Sequence, residues 1–324
     1  MDVLTVDIGE TLHQEILERN GSRVLMLSPK EGATPAHMDV CMPLMRQATR
    51  LYGGVLLRGF DALGAAGLER FAASFGEPLL AYEFGSTPRS KIEKGVYSST
   101  EYPADQWIDQ HNEQSYTLKW PASIFFYCDI AAESGGATPV ADSREVYLRL
   151  DPALRRKFAE KQIMYVRNYG NGLDLPWQRV FGTEDRSEVE RYCRANQIGF
   201  EWLDAAGELL RTRQVCQSEL RHPVTGETVW FNQAHLFHVS NLPESVREAL
   251  LEVVDEDDLP RNTCFGDGTP IDTAVLDEIR SVYRETMLSF EWRAHDLMML
   301  DNVLMSHGRA PFSGKRRVLV AMAG

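Results

Sequence analysis

Apolar residues in this chain recur with a helical period in some stretches and run as strands in others, and the two patterns trade places along its length. "MPLMRQATRLYG", 43–53 with its flank, has helical spacing and ends at a glycine pair. "GGVLLRGF" (53–60) predicts a short buried strand, and "AAGLERFAASFG" (65–76) an amphipathic helix stopped by Gly76. "ASIFFYCDIA" (122–131) is rich in β-formers and predicts a strand. "SREVYLRLDPALRRKFAEKQ" (143–162) predicts two short helices, the second opened by Asp151-Pro152, followed by a strand at "IMYVRNYG". A helix is predicted over 187–197, two strands around a Pro-Val-Thr-Gly turn within 209–235, and helices over 245–254 and 272–287. The end returns to β at 296–307 and 316–323.

Strands therefore lie on both sides of a helix-rich middle. This order predicts a closed or sandwiched β core decorated with helices, mainly β with flanking α, and not a doubly wound parallel sheet. It is read as a single domain over 1–324, with helical insertions roughly at 143–210 and 240–290. No internal repeat, GxGxxG or phosphate loop occurs.

Charge narrows the partners. The formal net charge is −13, so most of the surface repels a phosphate backbone, and neither nucleic acid nor a membrane surface is expected as partner. Cys41, Cys128, Cys193, Cys216 and Cys264 are odd in number and form no CxxC pair, which fits a reduced cytoplasmic compartment. The N-terminus lacks a signal-peptide pattern, and no apolar run reaches 18 residues. Whether identical chains associate is left open.

The candidate chemistry starts in "DQHNEQSYTLKWPASIFFY" (109–127). On a strand His111 and Glu113 share a face, and imidazole plus carboxylate is a mixed ligand set for a first-row metal such as iron(II). Alone, His-x-Glu is a weak signal. A distant element, "DNVLMSHGRAPFSGKRRVL", adds His307 at the end of an apolar strand, then a Pro/Gly loop and a returning strand headed by Arg316-Arg317. Alternation puts Arg317, Leu319 and Ala321 on one face, expected to be the inner one, and Arg316 on the other. A buried guanidinium needs an anion, which a bound dicarboxylate would supply. In "SGGATPVADS" (134–143) two glycines permit close backbone approach, and Thr138 offers a hydroxyl to a carboxylate.

His111-x-Glu113, Gly135-Gly136-Ala137-Thr138, His307 and Arg317 together resemble, in order and spacing, the taurine dioxygenase-like family of non-haem iron(II), 2-oxoglutarate-dependent oxygenases. "TVWFNQAHLFH", "CFGDGTPID" and the C-terminal stretch resemble the branch that hydroxylates amino acids in nonribosomal peptide biosynthesis, often on a carrier protein. The resemblance implies a double-stranded β-helix, or jelly roll, with helices outside. It implies an iron facial triad of His111, Glu113 and His307, with O2 and 2-oxoglutarate as cosubstrates. Arg317 would hold the distal carboxylate of 2-oxoglutarate, assisted by Thr138. Glu113 stands where family halogenases have a small residue, which implies hydroxylation rather than chlorination. A second arginine found in several relatives would fall at Ala321, and His295 stands where relatives often have glycine.

The expected activity is hydroxylation of an unactivated C–H bond in an amino acid or a carrier-bound aminoacyl or peptidyl unit, in secondary metabolism such as antibiotic biosynthesis. The rivals are a dioxygenase of a small alkylsulfonate, a desaturase or epoxidase using the same site, and a metal-stabilised β-barrel binding protein. Gln114, Tyr116, Asn232 and Arg309, with Gln233, are candidate substrate contacts. His235 and His238 are read as packed imidazoles, and 168–182 as a lid or an ordinary long loop.

Overall fold

The last strand of the chain, Arg317–Ala323, lies inside an eight-stranded sheet and not at its edge. In this computed structural model, which describes residues 11–30, 38–80, 90–99 and 102–324, the strands run in the order Leu12–Arg19, Ser22–Pro29, Gly54–Leu57, Leu297–Asp301, Ser123–Ile130, Arg317–Ala323, Val96–Ser98, Lys91–Glu93. Neighbours are antiparallel except Ser22–Pro29 beside Gly54–Leu57.

Both faces of this sheet are covered. Val318, Val320 and Met322 pack with Phe126, Cys128 and Phe231 in an inner core. Leu319, Ala321 and Ala323 pack with Leu44, Leu68 and Phe71 beneath the helices Met42–Tyr52 and Gly64–Ala73. The first of these helices stops as expected, at a left-handed Gly53 whose N–H donates to Thr49 O.

A shorter sheet faces the inner core. It places Met305–Arg309 between Ile108–His111 and Val140–Asp142. The apolar run expected over 296–307 is two strands, Leu297–Asp301 in the large sheet and Met305–Arg309 in the small one. Asp301 makes the break: its Oδ1 accepts from the amides of Val303 (2.9 Å) and Leu304 (3.1 Å). The crossing carries His307 from one sheet to the other, and the result is the expected jelly-roll core with helices outside.

The stretches at 143–210 and 240–290 are not purely helical. They contribute Ile163–Tyr169, Gly199–Trp202 and Arg261–Phe265, which join Leu210–Cys216 in a four-stranded sheet. Its core includes Phe158, Val189, Ile279 and Tyr283 from the helices Pro152–Lys161, Arg186–Ala195 and Thr273–Thr286. Asp151 caps the first of these, its carboxylate accepting from Ala153 N at 2.6 Å and Leu154 N at 3.2 Å. The hairpin Leu12–Arg19 with Ser22–Pro29 was not anticipated. No helix among the described residues is long and apolar enough to cross a membrane.

Candidate active site

His111 and His307 sit directly opposite each other on paired strands, with ring centroids 4.5 Å apart. His111 Nδ1 donates to Asp109 O at 2.8 Å. That bond fixes the tautomer and leaves Nε2 as the lone-pair nitrogen, as a metal-binding imidazole requires. His307 is buried, its Nε2 lies 3.7 Å from Glu113 Oε2, and its Nδ1 has no hydrogen-bond partner among the described residues. The edge of Phe126 closes the site at 4.9 Å from the His307 ring centroid.

Glu113 reaches this point by a route that strand alternation does not describe. The strand ends at His111, and Glu113 begins a turn. Asn302, fully buried, holds it from both sides: Glu113 N donates to Asn302 Oδ1 at 2.7 Å, and Asn302 Nδ2 donates to Glu113 O at 3.0 Å and to Pro121 O at 2.8 Å. Asn112 Nδ2 donates in turn to Asn302 O at 2.7 Å. One ligand atom from each of His111, Glu113 and His307 lies within 4.8 Å of the others. Two imidazoles and one carboxylate, converging and largely shielded, fit an open-sided iron(II) site.

Beside the three side chains is a small cavity lined by Ser99, Thr138, Arg309, Arg316, Val318 and Val320. The arginine that enters it is Arg316, not Arg317. Arg316 Nε donates to Gly136 O at 2.9 Å, and among the described residues its remaining nitrogens make long contacts of 3.4 Å to Ser99 Oγ and Thr138 Oγ1. Burial, then the nearby Arg309, pushes its pKa down to about 10. Arg317 is exposed and pairs with Asp129 outside the sheet. A register shift between Arg317 and Val318 accompanies the change, Arg317 standing opposite Ile130 and Val318 opposite Cys128. The inner face is thus Arg316, Val318 and Val320, the reverse of the expected one.

The glycine pair works on Arg316. Gly136 has φ +71°, and a Cβ there would come within 2.9 Å of Arg316 Cδ. Thr138 is also tied to the inner wall, its hydroxyl accepting from Trp292 Nε1 at 2.9 Å. The cavity has about 30 Å³ of free space. Arg309 is the second cation. It donates to the carbonyls of Tyr102 and Gln106, both at 2.9 Å, and to that of Pro103, and burial lowers its pKa.

The other expected substrate contacts are elsewhere. Gln114 lines a separate surface cavity with Leu118 and Tyr192. Tyr116 is packed against Tyr165 and Phe237 in the core. Asn232 is fully buried in a turn, bonded to Ser218 O at 2.6 Å and to Ala234 N at 3.0 Å. Gln233 and His235 act on backbone: Gln233 Nε2 donates to Asn112 O, and His235 Nε2 to Gln110 O, both at 2.9 Å, bracketing His111. His238 bonds Ser240 Oγ at 2.8 Å.

His295 adopts φ +71°, the conformation that favours glycine. Its ring stacks on Tyr127, and Nδ1 lies 3.0 Å from the Tyr127 hydroxyl. Asn302 and Trp292 were missed, the signal for Asn302 being an asparagine inside an apolar run; His295 was singled out by the resemblance, and the structure supplies its contacts.

The model of the taurine catabolism dioxygenase TauD, TfdA family matches residues 29–322, a span that holds every site residue above. The chain belongs to this family. It is accordingly a non-haem iron dioxygenase that uses 2-oxoglutarate and O2, and the metal-stabilised binding barrel is set aside. It is 42% identical over 270 residues to the dapdiamide synthesis protein DdaC of Enterobacter agglomerans, covering 83% of this chain and 82% of the relative. It is 29% identical over 283 residues to a clavaminate synthase-like protein of Arabidopsis thaliana, covering 83% and 81%. Among solved structures, PvcB of Pseudomonas aeruginosa shares the fold with a TM-score of 0.58 at 16% identity, over 100% of this chain and 94% of that one.

Proposed function

We propose that this enzyme hydroxylates an unactivated C–H bond of an amino acid, or of an aminoacyl or peptidyl unit, free or carrier-bound, in small-molecule biosynthesis. Iron(II) is held by His111, Glu113 and His307. The observation that carries the reading is the junction of these three side chains with a cavity whose charged groups are Arg309 and Arg316, with no carboxylate lining it among the described residues.

In this reading Arg316 takes the distal carboxylate of 2-oxoglutarate, with Thr138 as a second donor. Its two 3.4 Å contacts are the ones an anion exchanges for short charged bonds. Bound iron supplies the redox chemistry that couples oxidation of the keto acid to oxygen transfer. The chain's own contribution is position. Asn302 holds Glu113, the Asp109 carbonyl orients His111, and the edge of Phe126 packs against the His307 ring.

The substrate belongs in a larger cavity of about 630 Å³ that shares Ile108 and Asp109 with the His111 strand. Trp107, Leu173, Leu175 and Phe237 give it apolar walls, and Asp174 and Arg261 form an ion pair at 2.5 Å on its rim. Burial pushes the Asp174 pKa up, but its bonds and charge contact with Arg261 outweigh this and hold it below the usual range. The exposed Asp109 offers an acceptor to a substrate amine. An amphipathic amino-acid substrate fits such a pocket. The relative named for dapdiamide synthesis supports a biosynthetic role over taurine breakdown.

Succinate release, measured with iron and 2-oxoglutarate across amino acids, aminoacyl carrier proteins and taurine, tests the proposal. Stimulation by an amino-acid-type substrate, with a product heavier by one oxygen atom, supports it. Sulfite release from taurine alone overturns the substrate class, and a product lighter by two hydrogens identifies a desaturase.

A further inference from the structure

Arg309 ends the strand Met305–Arg309, two residues beyond His307, and lines the small cavity beside the metal ligands together with Arg316. Its hydrogen bonds lead elsewhere. The guanidinium donates to the carbonyls of Tyr102, Pro103 and Gln106, and its central carbon lies 5.8 Å from the Tyr102 ring centroid and 5.2 Å from that of Phe312. The residue is 6% exposed, and no carboxylate pairs with it among the described residues. A buried cation answered only by neutral carbonyls is held at a cost.

The three carbonyls belong to one turn. Gln106 N donates to Pro103 O at 3.2 Å across it, and Phe312 N donates to Ala104 O at 2.8 Å. The ends of the turn, Tyr102 and Trp107, line the proposed substrate cavity. The next residue, Ile108, lines both cavities and stands opposite Arg309 in the strand pairing. The strands come close here by construction: the register shifts between His307 and Arg309, and a Cβ on Gly308 would lie 2.6 Å from Ile108 O.

One side chain thus reaches from the small cavity to the wall of the large one. In the small cavity its charge adds to burial in opposing the charge on Arg316. A dianion bound there gives both guanidiniums a counter-charge. It thereby lowers the cost of keeping Arg309 buried on its three carbonyls, and the turn is held more firmly. Such coupling is reciprocal, so a substrate packed on the held wall tightens the dianion.

We propose that Arg309 is a positioning residue that couples the two cavities: the cosubstrate, bound beside Arg316, fixes the turn at 102–107 and with it the wall against which the substrate packs. This rests on reading the small cavity as the 2-oxoglutarate site.

Hydrogen exchange of the full chain loaded with Mn(II), read by mass spectrometry on the peptide spanning 102–107, tests this. The probe is N-oxalylglycine, an unreactive dicarboxylate, with its binding followed by calorimetry on the same samples. In the parent, saturation should slow exchange in 102–107 about fivefold or more. In Arg309→Gln, which removes the charge, the turn should exchange faster and lose its response to N-oxalylglycine. Arg309→Lys, which keeps the charge, should retain part of the response. A residue that only braced the fold would shift exchange equally with and without the probe. The inference is overturned if bound N-oxalylglycine leaves 102–107 unchanged in the parent or speeds its exchange, a result that needs no variant to fold. It is also overturned if Arg309→Gln responds as the parent does. Failure of the cosubstrate reading shows differently: Arg316→Ala then binds N-oxalylglycine as tightly as the parent, and the inference falls with it.

Discussion

Arg316 and Arg317 are adjacent in sequence and stand on opposite sides of the sheet, the first beside Thr138 in the cavity and the second on Asp129 outside it. Arg316→Ala is expected to weaken 2-oxoglutarate binding about tenfold or more, since charged hydrogen bonds contribute roughly 1.5–3 kcal/mol. Arg317→Ala, which removes an exposed ion pair, should change it by less than about threefold. Titration of 2-oxoglutarate into Mn(II)-loaded protein checks both, and a larger effect from Arg317 would refute the assignment of the inner face.

His111→Ala and His307→Ala should each abolish iron-dependent succinate formation. Circular dichroism should remain that of the folded protein. Either variant keeping parental activity would move the metal elsewhere. The parent, with Glu113 in place, should give hydroxylated and not chlorinated product at high chloride, as judged by mass spectrometry.

Asn302→Ala leaves three partners unanswered: Glu113 N, Glu113 O and Pro121 O. A loss of about 1–3 kcal/mol in unfolding free energy is expected, with metal affinity down roughly 10–100-fold. Denaturant titration and metal competition measure the two separately. Loss of stability with unchanged metal affinity would show that Glu113 holds its place without this bracket.

His235 and His238 make stability fall in mild acid. Burial first, and Arg280 besides, lowers their pKa values to about 3 and about 4 from 6.5. Between pH 6.5 and 4 the unfolded chain binds protons that the folded chain refuses, so stability declines as pH drops through that window. The pair should cost on the order of 2–4 kcal/mol between pH 7 and pH 5. His238→Gln should flatten the dependence measurably in urea midpoints, and an unchanged slope would mean another group sets it.

The amphipathic helices were legible because each buries one stripe: the spacing in "MPLMRQATRLYG" and its terminal Gly53 sufficed for Met42–Tyr52. The two histidines and Glu113 were named from the sequence, and the structure brings the three side chains together. The facing of the final strand was not. "RVLVAMA" is apolar on both sides because it separates two cores, so period-2 alternation carries no information there, and the register shift at Arg317 erases the rest. Gln114, Tyr116 and Asn232 were misjudged for a related reason. A polar side chain near a site in sequence can equally serve backbone groups, as Asn232 does for Ser218 O and Ala234 N.

His307 pairs with His111 across 196 steps of chain, and the strand Arg317–Ala323, which follows Arg316, completes the large sheet only when it slots between Ser123–Ile130 and Val96–Ser98. At ~5–20 residues per second of synthesis, His111 waits roughly 10–40 s for its partner to be made. During that interval the sheet has a gap where its final strand will go, and two open hydrogen-bonding edges face it. Contacts so distant in sequence also slow folding once the chain is complete. The three-ligand site is therefore complete only once the strand Met305–Arg309 has been made and docked, late in synthesis.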